Sequence, residues 1–364
     1  MKRYYKTIRR PVRRPGAEQF TLLMLLSFAA SVALTRLFLE LTGYPQLGGG
    51  ELHIAHMLWG GLLLFAAALL PLVFANRWVY LLGALLAGVG IGLFIDEVGK
   101  FITHNNDYFY PAAAPIIYAF FLICVLLYLQ LNRPPARDAR AELYSVLELM
   151  EEILDHDLEA SERAEIETRL RFVIAQKDRP EMANLGQALL DYLTQDDIYV
   201  APSTPDYIDK LTARLRLFEE RHLKRERFRS LLVLGIGILG LVSIANSLRL
   251  FISYILGGAS AITAGDIGQT LTYWFFQLQV MQGLVGVMLV IGAFYLFTGR
   301  EWQGVRFSYF ALLVYLTIVN LMLFYYNQFS TMIAAVFQFA LLLGVLYYRQ
   351  RYVENPEIEN QPSL

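Results

Sequence analysis

Hydrophobic positions in this chain come in blocks rather than stripes. Eight stretches, roughly 18–41, 53–75, 78–100, 111–131, 229–256, 271–298, 303–326 and 330–349, are apolar almost without interruption. A helix of about 20 such residues, rising about 1.5 Å per residue, crosses the hydrocarbon core of a bilayer. Backbone N–H and C=O groups have no water to bond there, so each block must close its hydrogen bonds internally as a helix. A barrel strand would alternate apolar with polar residues, and these blocks do not. The expected fold is all-α: a polytopic integral membrane protein of about eight transmembrane helices.

Between residues 132 and 228 the pattern changes to a charged, helical period. Leu143, Val146, Leu147 and Met150 fall at i, i+3, i+4, i+7 and predict an amphipathic helix. Ser161 is a favoured N-cap residue, and Glu162 in the first turn suits the helix dipole. Ala164 stands where a capping box from Ser161 would need Glu or Gln. Pro202 and Pro205 break the chain, and Pro205 sits at the first turn of a helix that runs into the fifth block. The segment has no Gly-rich phosphate loop, no Cys/His cluster and no nucleophile motif. It reads as a helical insert that joins two halves or docks a protein partner. The expected division is a basic N-terminus (1–17), a first four-helix membrane half (18–131), the insert (132–228), a second half (229–349) and a tail (350–364).

Composition agrees: 56% of the 364 residues are apolar and mean hydropathy is +0.43. A net charge of −1 gives no footing for nucleic acid, and the single Cys124 rules out an intrachain disulfide framework. Lys and Arg decide the orientation, because they concentrate in cytoplasmic loops. They crowd the N-terminus, recur at Arg77, Arg133, Arg137 and Arg140, and return in "RHLKRERFR", at Arg300 and Arg306 and in "RQRY". The alternate connections "TGYPQLGGGE", "ITHNNDYFYP", "GGASAITAGDIGQT" and "YNQFS" hold none. Both termini and the insert are therefore expected on the cytoplasmic side of the inner (plasma) membrane, with lipids as the surrounding partner. The first block is too long for a signal peptide and carries Arg36 and Glu40, so it is expected to be retained.

Four blocks, an insert and four more suggest a duplication. Arg36 in "TRLFLE" matches Arg249 in "LRLFIS". From the second block on, one offset of 223 sets Gly60 against Gly283, Arg77 against Arg300, His56 against Gln279 and Glu97 against Asn320. Units with an even number of spans would form a parallel 4+4 repeat, with the ionisable groups kept only in the first half.

Those groups share one depth, the extracytoplasmic ends of blocks one to three: Arg36, Glu40, Glu51, His53, His56, Asp96, Glu97 and Lys100, with His104 and Asp107 in the following loop. Three functions compete. Ion pairs could staple the helix ends, with Arg36–Glu40 and Asp96–Lys100 each at i, i+4. Alternatively, His53, His56, Glu97, His104 and Asp107 supply nitrogen and oxygen ligands suited to zinc or another divalent metal. Glu97 or Asp96 would then act as general base in a metal-dependent hydrolase, or the site would hold a polar headgroup. The third reading is an ion- or proton-coupled carrier of a small solute, in which Asp, Glu and His relay protons. Adjacent helical positions point about 100° apart. One carboxylate is therefore expected to face the histidines and the other to pair with Lys100 or Arg36; Asp96, with Lys100 at i+4, is assigned to the ion pair and Glu97 to the site.

The signature "HIAHMLWGG … GLFIDEVGKFIT … NDYFYP" resembles a group of uncharacterised bacterial polytopic membrane proteins over about residues 36–118. The resemblance implies that His53, His56, Asp96, Glu97, Lys100, Asn106, Asp107 and Tyr108 form one unit. "GVGIG" at 88–92 lies inside an apolar helix, so it reads as helix packing rather than a dinucleotide loop.

Overall fold

The computed structural model of the chain describes residues 11–43, 55–132, 137–154, 156–176, 179–195, 198–201, 225–257 and 269–354. Among them there is no strand, only one isolated bridge between Glu159 and Ala201. Eight helices among the described residues are long and apolar enough to cross a membrane. Spans 1 to 4 are Ala17–Thr42, His56–Val73, Trp78–Ile95 and Ala113–Leu131. Span 5 is Arg225–Gly257 and span 6 is Gln269–Phe297. Span 7 runs from Glu301 through a π-helical turn, Tyr315–Val319, to Tyr326. Span 8 is Gln328–Tyr348. The third span is shorter than the block at 78–100 implies. Its helix ends at Ile95, Asp96 and Glu97 form a turn, and a short helix, Val98–Ile102, follows.

The chain forms two compact units, residues 1–97 with 123–209 and residues 98–122 with 210–364. The division cuts span 4 rather than falling after it. In the first unit, span 3 is central and packs on both span 1 and span 2. Glycine makes this possible. A Cβ at Gly60 would lie 2.8 Å from the Gly90 carbonyl oxygen, and one at Gly90 would lie 2.9 Å from that of Gly60. The two backbones therefore touch, as small residues allow in membranes. Span 2 buries no residue other than Gly60 and carries Pro71 within its helix. In the second unit span 6 is central, packed on spans 5 and 7. Under the repeat, span 6 would correspond to span 2, so the helix neighbours differ between the halves. Arg249 is exposed where Arg36 is buried. The packing gives the duplication no support.

The insert has a core of its own, with Val146, Leu158, Ile166, Leu170, Val173 and Leu193 fully buried. It contains helices Ala139–Leu149, Glu151–Leu154, Ala160–Ile174 and Pro180–Leu193. Two expectations need correcting. The third of these helices starts before Ser161, and Glu162 reaches back to accept a hydrogen bond from the Glu159 N–H at 3.1 Å. Leu147 is half-exposed, because Leu143, Val146 and Leu149 take the core face instead. Within the first unit the insert meets the span ends through Arg14–Glu148 at 3.0 Å and Arg77–Glu152 at 3.3 Å. The helix expected from Pro205 up to residue 224 lies outside the described residues.

Candidate functional site

Three helix ends in the first unit bring four ionisable side chains together. Arg36 is one and a half turns from the end of span 1, His56 opens span 2, and Asp96 and Glu97 follow the last turn of span 3. Arg36 Nε donates to Asp96 Oδ1 at 2.6 Å. His56 sits between the carboxylates, its Nε2 3.3 Å from Asp96 Oδ2 and its Nδ1 3.3 Å from Glu97 Oε1. Asp96 is 0% exposed, Glu97 2% and Arg36 6%.

A helix C-terminus carries a partial negative charge, so two carboxylates there are poorly placed unless cations meet them. In a membrane the penalty grows: a charged side chain at mid-span costs about 2.5–3.5 kcal/mol on insertion scales. Arg36 offsets one carboxylate. The His56 imidazole is the other group set against the carboxylates, and it carries a positive charge only when both ring nitrogens are protonated.

One expectation is overturned here. Asp96 and Glu97 were expected to face different ways, one toward the histidines. Both reach the same ring, because they address its two different nitrogens. Asp96 was expected to pair with Lys100 or Arg36, and Arg36 bonds it. Lys100 Nζ lies 5.5 Å from the centre of the Tyr108 ring. With Arg36 turned to Asp96, Glu40 is exposed rather than central to an ion pair. His53 and Glu51 lie outside the described residues. His104 and Asp107 belong to the second unit and are exposed there. Asp107 shapes its loop: its Oδ1 accepts from the Phe109 N–H at 2.9 Å, and its own N–H donates to Thr103 Oγ1 at 2.8 Å. Among the described residues, no group of three or more His, Cys, Asp or Glu side chains could hold a metal ion.

The second unit holds a neutral polar network absent from the expectations. Gln282 Nε2 donates to Tyr315 Oη at 3.0 Å, and Tyr315 Oη shares a 3.1 Å hydrogen bond with Ser243 Oγ. Asn320 Nδ2 donates to Gln338 Oε1 at 2.6 Å. The Tyr118 hydroxyl donates to the Leu316 carbonyl at 2.6 Å, inside the π-helical turn. In that turn the Asn320 N–H reaches back to the Tyr315 carbonyl, five residues away. Such turns insert one residue into a helix and recur at functional sites. The signal was available in the sequence as isolated Gln, Asn and Ser in the middle of apolar blocks.

No protein-family model, curated protein or solved structure matches the chain. The geometry identifies a multi-pass helical membrane protein with one buried Arg–His–carboxylate cluster at the ends of its first three spans.

Proposed function

We propose that the chain is a proton-linked membrane carrier of a small ion or solute, with His56 as its proton-binding residue. The observation that carries this reading is the seat of the imidazole between two buried carboxylates, one of them bonded to Arg36. Span 2 is the element that would respond. Beyond its glycine contact with span 3 it buries nothing, and His56 ties it to the carboxylates. A protonated ring places a positive charge between Asp96 and Glu97, and a neutral ring does not. Losing the proton loosens span 2. Asp, Glu and His chains of this kind relay protons in pumps and transporters.

The metal-dependent reading is weaker at this site, because among the described residues no group of three or more His, Cys, Asp or Glu side chains could hold a metal ion. The rival is a static staple of the same residues, and one experiment separates the two. A spin-label pair between spans 2 and 3, in a Cys124→Ala background, is measured from about pH 5 to 8, where histidine side chains change charge. The carrier reading expects the inter-span distance to change with pH in the native sequence and to be fixed in His56→Gln. A distance that ignores pH, or that responds equally in His56→Gln, sinks it.

A further inference from the structure

At the opposite ends of the same spans, the first unit encloses a cleft of about 530 Å³. Its floor is the end of span 2 and the connection to span 3, Pro71 to Ala75, with Tyr80 from the first turn of span 3. Its roof is the first part of the insert, with Tyr144, Leu147, Glu148 and Glu151. Arg14, just before span 1, stacks its guanidinium 3.8 Å from the centre of the Tyr80 ring and donates to Glu148 at 3.0 Å. The cleft lies at the ends of membrane-class helices, so it lies at headgroup depth.

Its chemistry is mixed. One wall is apolar and open, with Leu72 82% and Phe74 47% exposed. The other carries two carboxylates with the Arg14 guanidinium among them. Burial first, and then the charge of Glu151, push the Glu148 carboxyl above its ordinary range, even with the charges of Arg14 and Arg77 acting against them. A cation entering the cleft would relieve that repulsion. A guanidinium has five N–H donors, more than the one bond to Glu148 requires, so Arg14 can also meet a phosphate.

We propose that this cleft seats the headgroup of an aminophospholipid, its ammonium between Glu148 and Glu151, its phosphate toward Arg14 and its acyl chains along Leu72 and Phe74. Each feature selects against another lipid. An anionic glycerol headgroup brings no cation to the carboxylates. A choline headgroup brings a cation without N–H donors. The cleft is independent of the His56 cluster, which lies about 25 Å away along the spans at 1.5 Å rise per residue.

The test uses the full-length protein reconstituted with equal parts phosphatidylethanolamine, phosphatidylglycerol and phosphatidylcholine, followed by native mass spectrometry of the retained lipid. Phosphatidylethanolamine should be retained over the other two. The Glu148→Gln/Glu151→Gln double variant should lose that preference by roughly tenfold, a change of about 1.4 kcal/mol. Glu165→Gln, elsewhere on the insert, should keep it. Equal retention of all three lipids by the native sequence, or an unchanged preference in the double variant, overturns the proposal. Should the double variant fail to fold, a photo-crosslinking residue in place of Tyr144 in the otherwise native chain decides. It should capture phosphatidylethanolamine, and capture of phosphatidylglycerol instead overturns the site. Soluble phosphoethanolamine should not displace the lipid at equal concentration. Displacement would assign the cleft to a free solute and overturn the lipid assignment.

Discussion

Arg36 and Asp96, sixty residues apart in the chain, form a buried ion pair at 2.6 Å that joins the end of span 1 to the end of span 3. Removing one partner of such a pair strands the other charge, which typically costs about 3–5 kcal/mol. Arg36→Ala should therefore sharply lower the thermal unfolding temperature of the purified protein. Arg36→Ala/Asp96→Asn removes both charges and should recover most of the loss. A double variant no more stable than Arg36→Ala would mean that Arg36 stabilises through something other than Asp96.

The backbone contact of spans 2 and 3 predicts a sharp positional contrast. A methyl group at Gly60 or Gly90 meets a carbonyl oxygen of the other helix within 3 Å. A methyl group at Gly61, one residue on, meets nothing within 4 Å. Gly60→Ala should destabilise by about 1–3 kcal/mol, the usual range for overpacking. Gly61→Ala should be neutral or slightly stabilising, since alanine is the better helix former. Equal effects of the two in a thermal melt would argue against the close helix approach.

These contrasts show what was legible in the chain beforehand. Helix number, approximate span limits and the helical insert follow from block length and period alone. So does the shared depth of Arg36, His56, Asp96 and Glu97, since helix rise converts residue number into depth. Rotation and breaks were not legible. Nothing in "GLFIDEVGK" says that the helix stops at Ile95. Partner choice was legible only as far as two cations, Lys100 at i+4 on the same span and Arg36 from another span; Arg36 bonds Asp96. Leu147 was misjudged, since a period fixes a face to within a residue and not which edge of it meets the core.

Glu148 and Glu152 make insert docking depend on pH. Burial raises both carboxyls first; Glu151 adds to the effect at Glu148 and Glu162 at Glu152. A carboxyl raised in the fold favours its protonated form there. Its contribution is fully present below the ordinary glutamate value and is lost as pH rises through the raised one. Hydrogen exchange in the helix Ala139–Leu149 should therefore speed up from about pH 4 to 7, beyond the intrinsic rate change. Glu148→Gln/Glu152→Gln should flatten that trend. A trend that is the same in both proteins would assign the pH dependence elsewhere.

Sidedness has a direct chemical test. In a Cys124→Ala background, cysteine at Asn105 should react with an impermeant thiol reagent in intact cells. Cysteine at Arg137, on the insert side, should react only after lysis. The expectation rests on the Lys and Arg bias of alternate connections. The reverse pattern would move the His56 cluster to the cytoplasmic face and the lipid cleft to the outer leaflet.

The neutral network of the second unit should contribute through satisfied hydrogen bonds rather than charge. Tyr315 Oη bonds both Gln282 of span 6 and Ser243 of span 5, all three buried. Tyr315→Phe keeps the ring and its packing but strands the Gln282 amide in an apolar bundle. Interhelical hydrogen bonds in membranes are worth about 0.6 kcal/mol on average and up to about 1.7. Tyr315→Phe should therefore destabilise by about 1–2 kcal/mol, two bonds at that average or somewhat above it. Tyr315→Phe/Gln282→Leu removes the stranded amide as well and should regain part of the loss. Leucine is also apolar, so the regained part measures the penalty of the unpaired amide rather than the worth of the bond. A double variant less stable than Tyr315→Phe would show that Gln282 holds span 6 through a partner other than this hydroxyl.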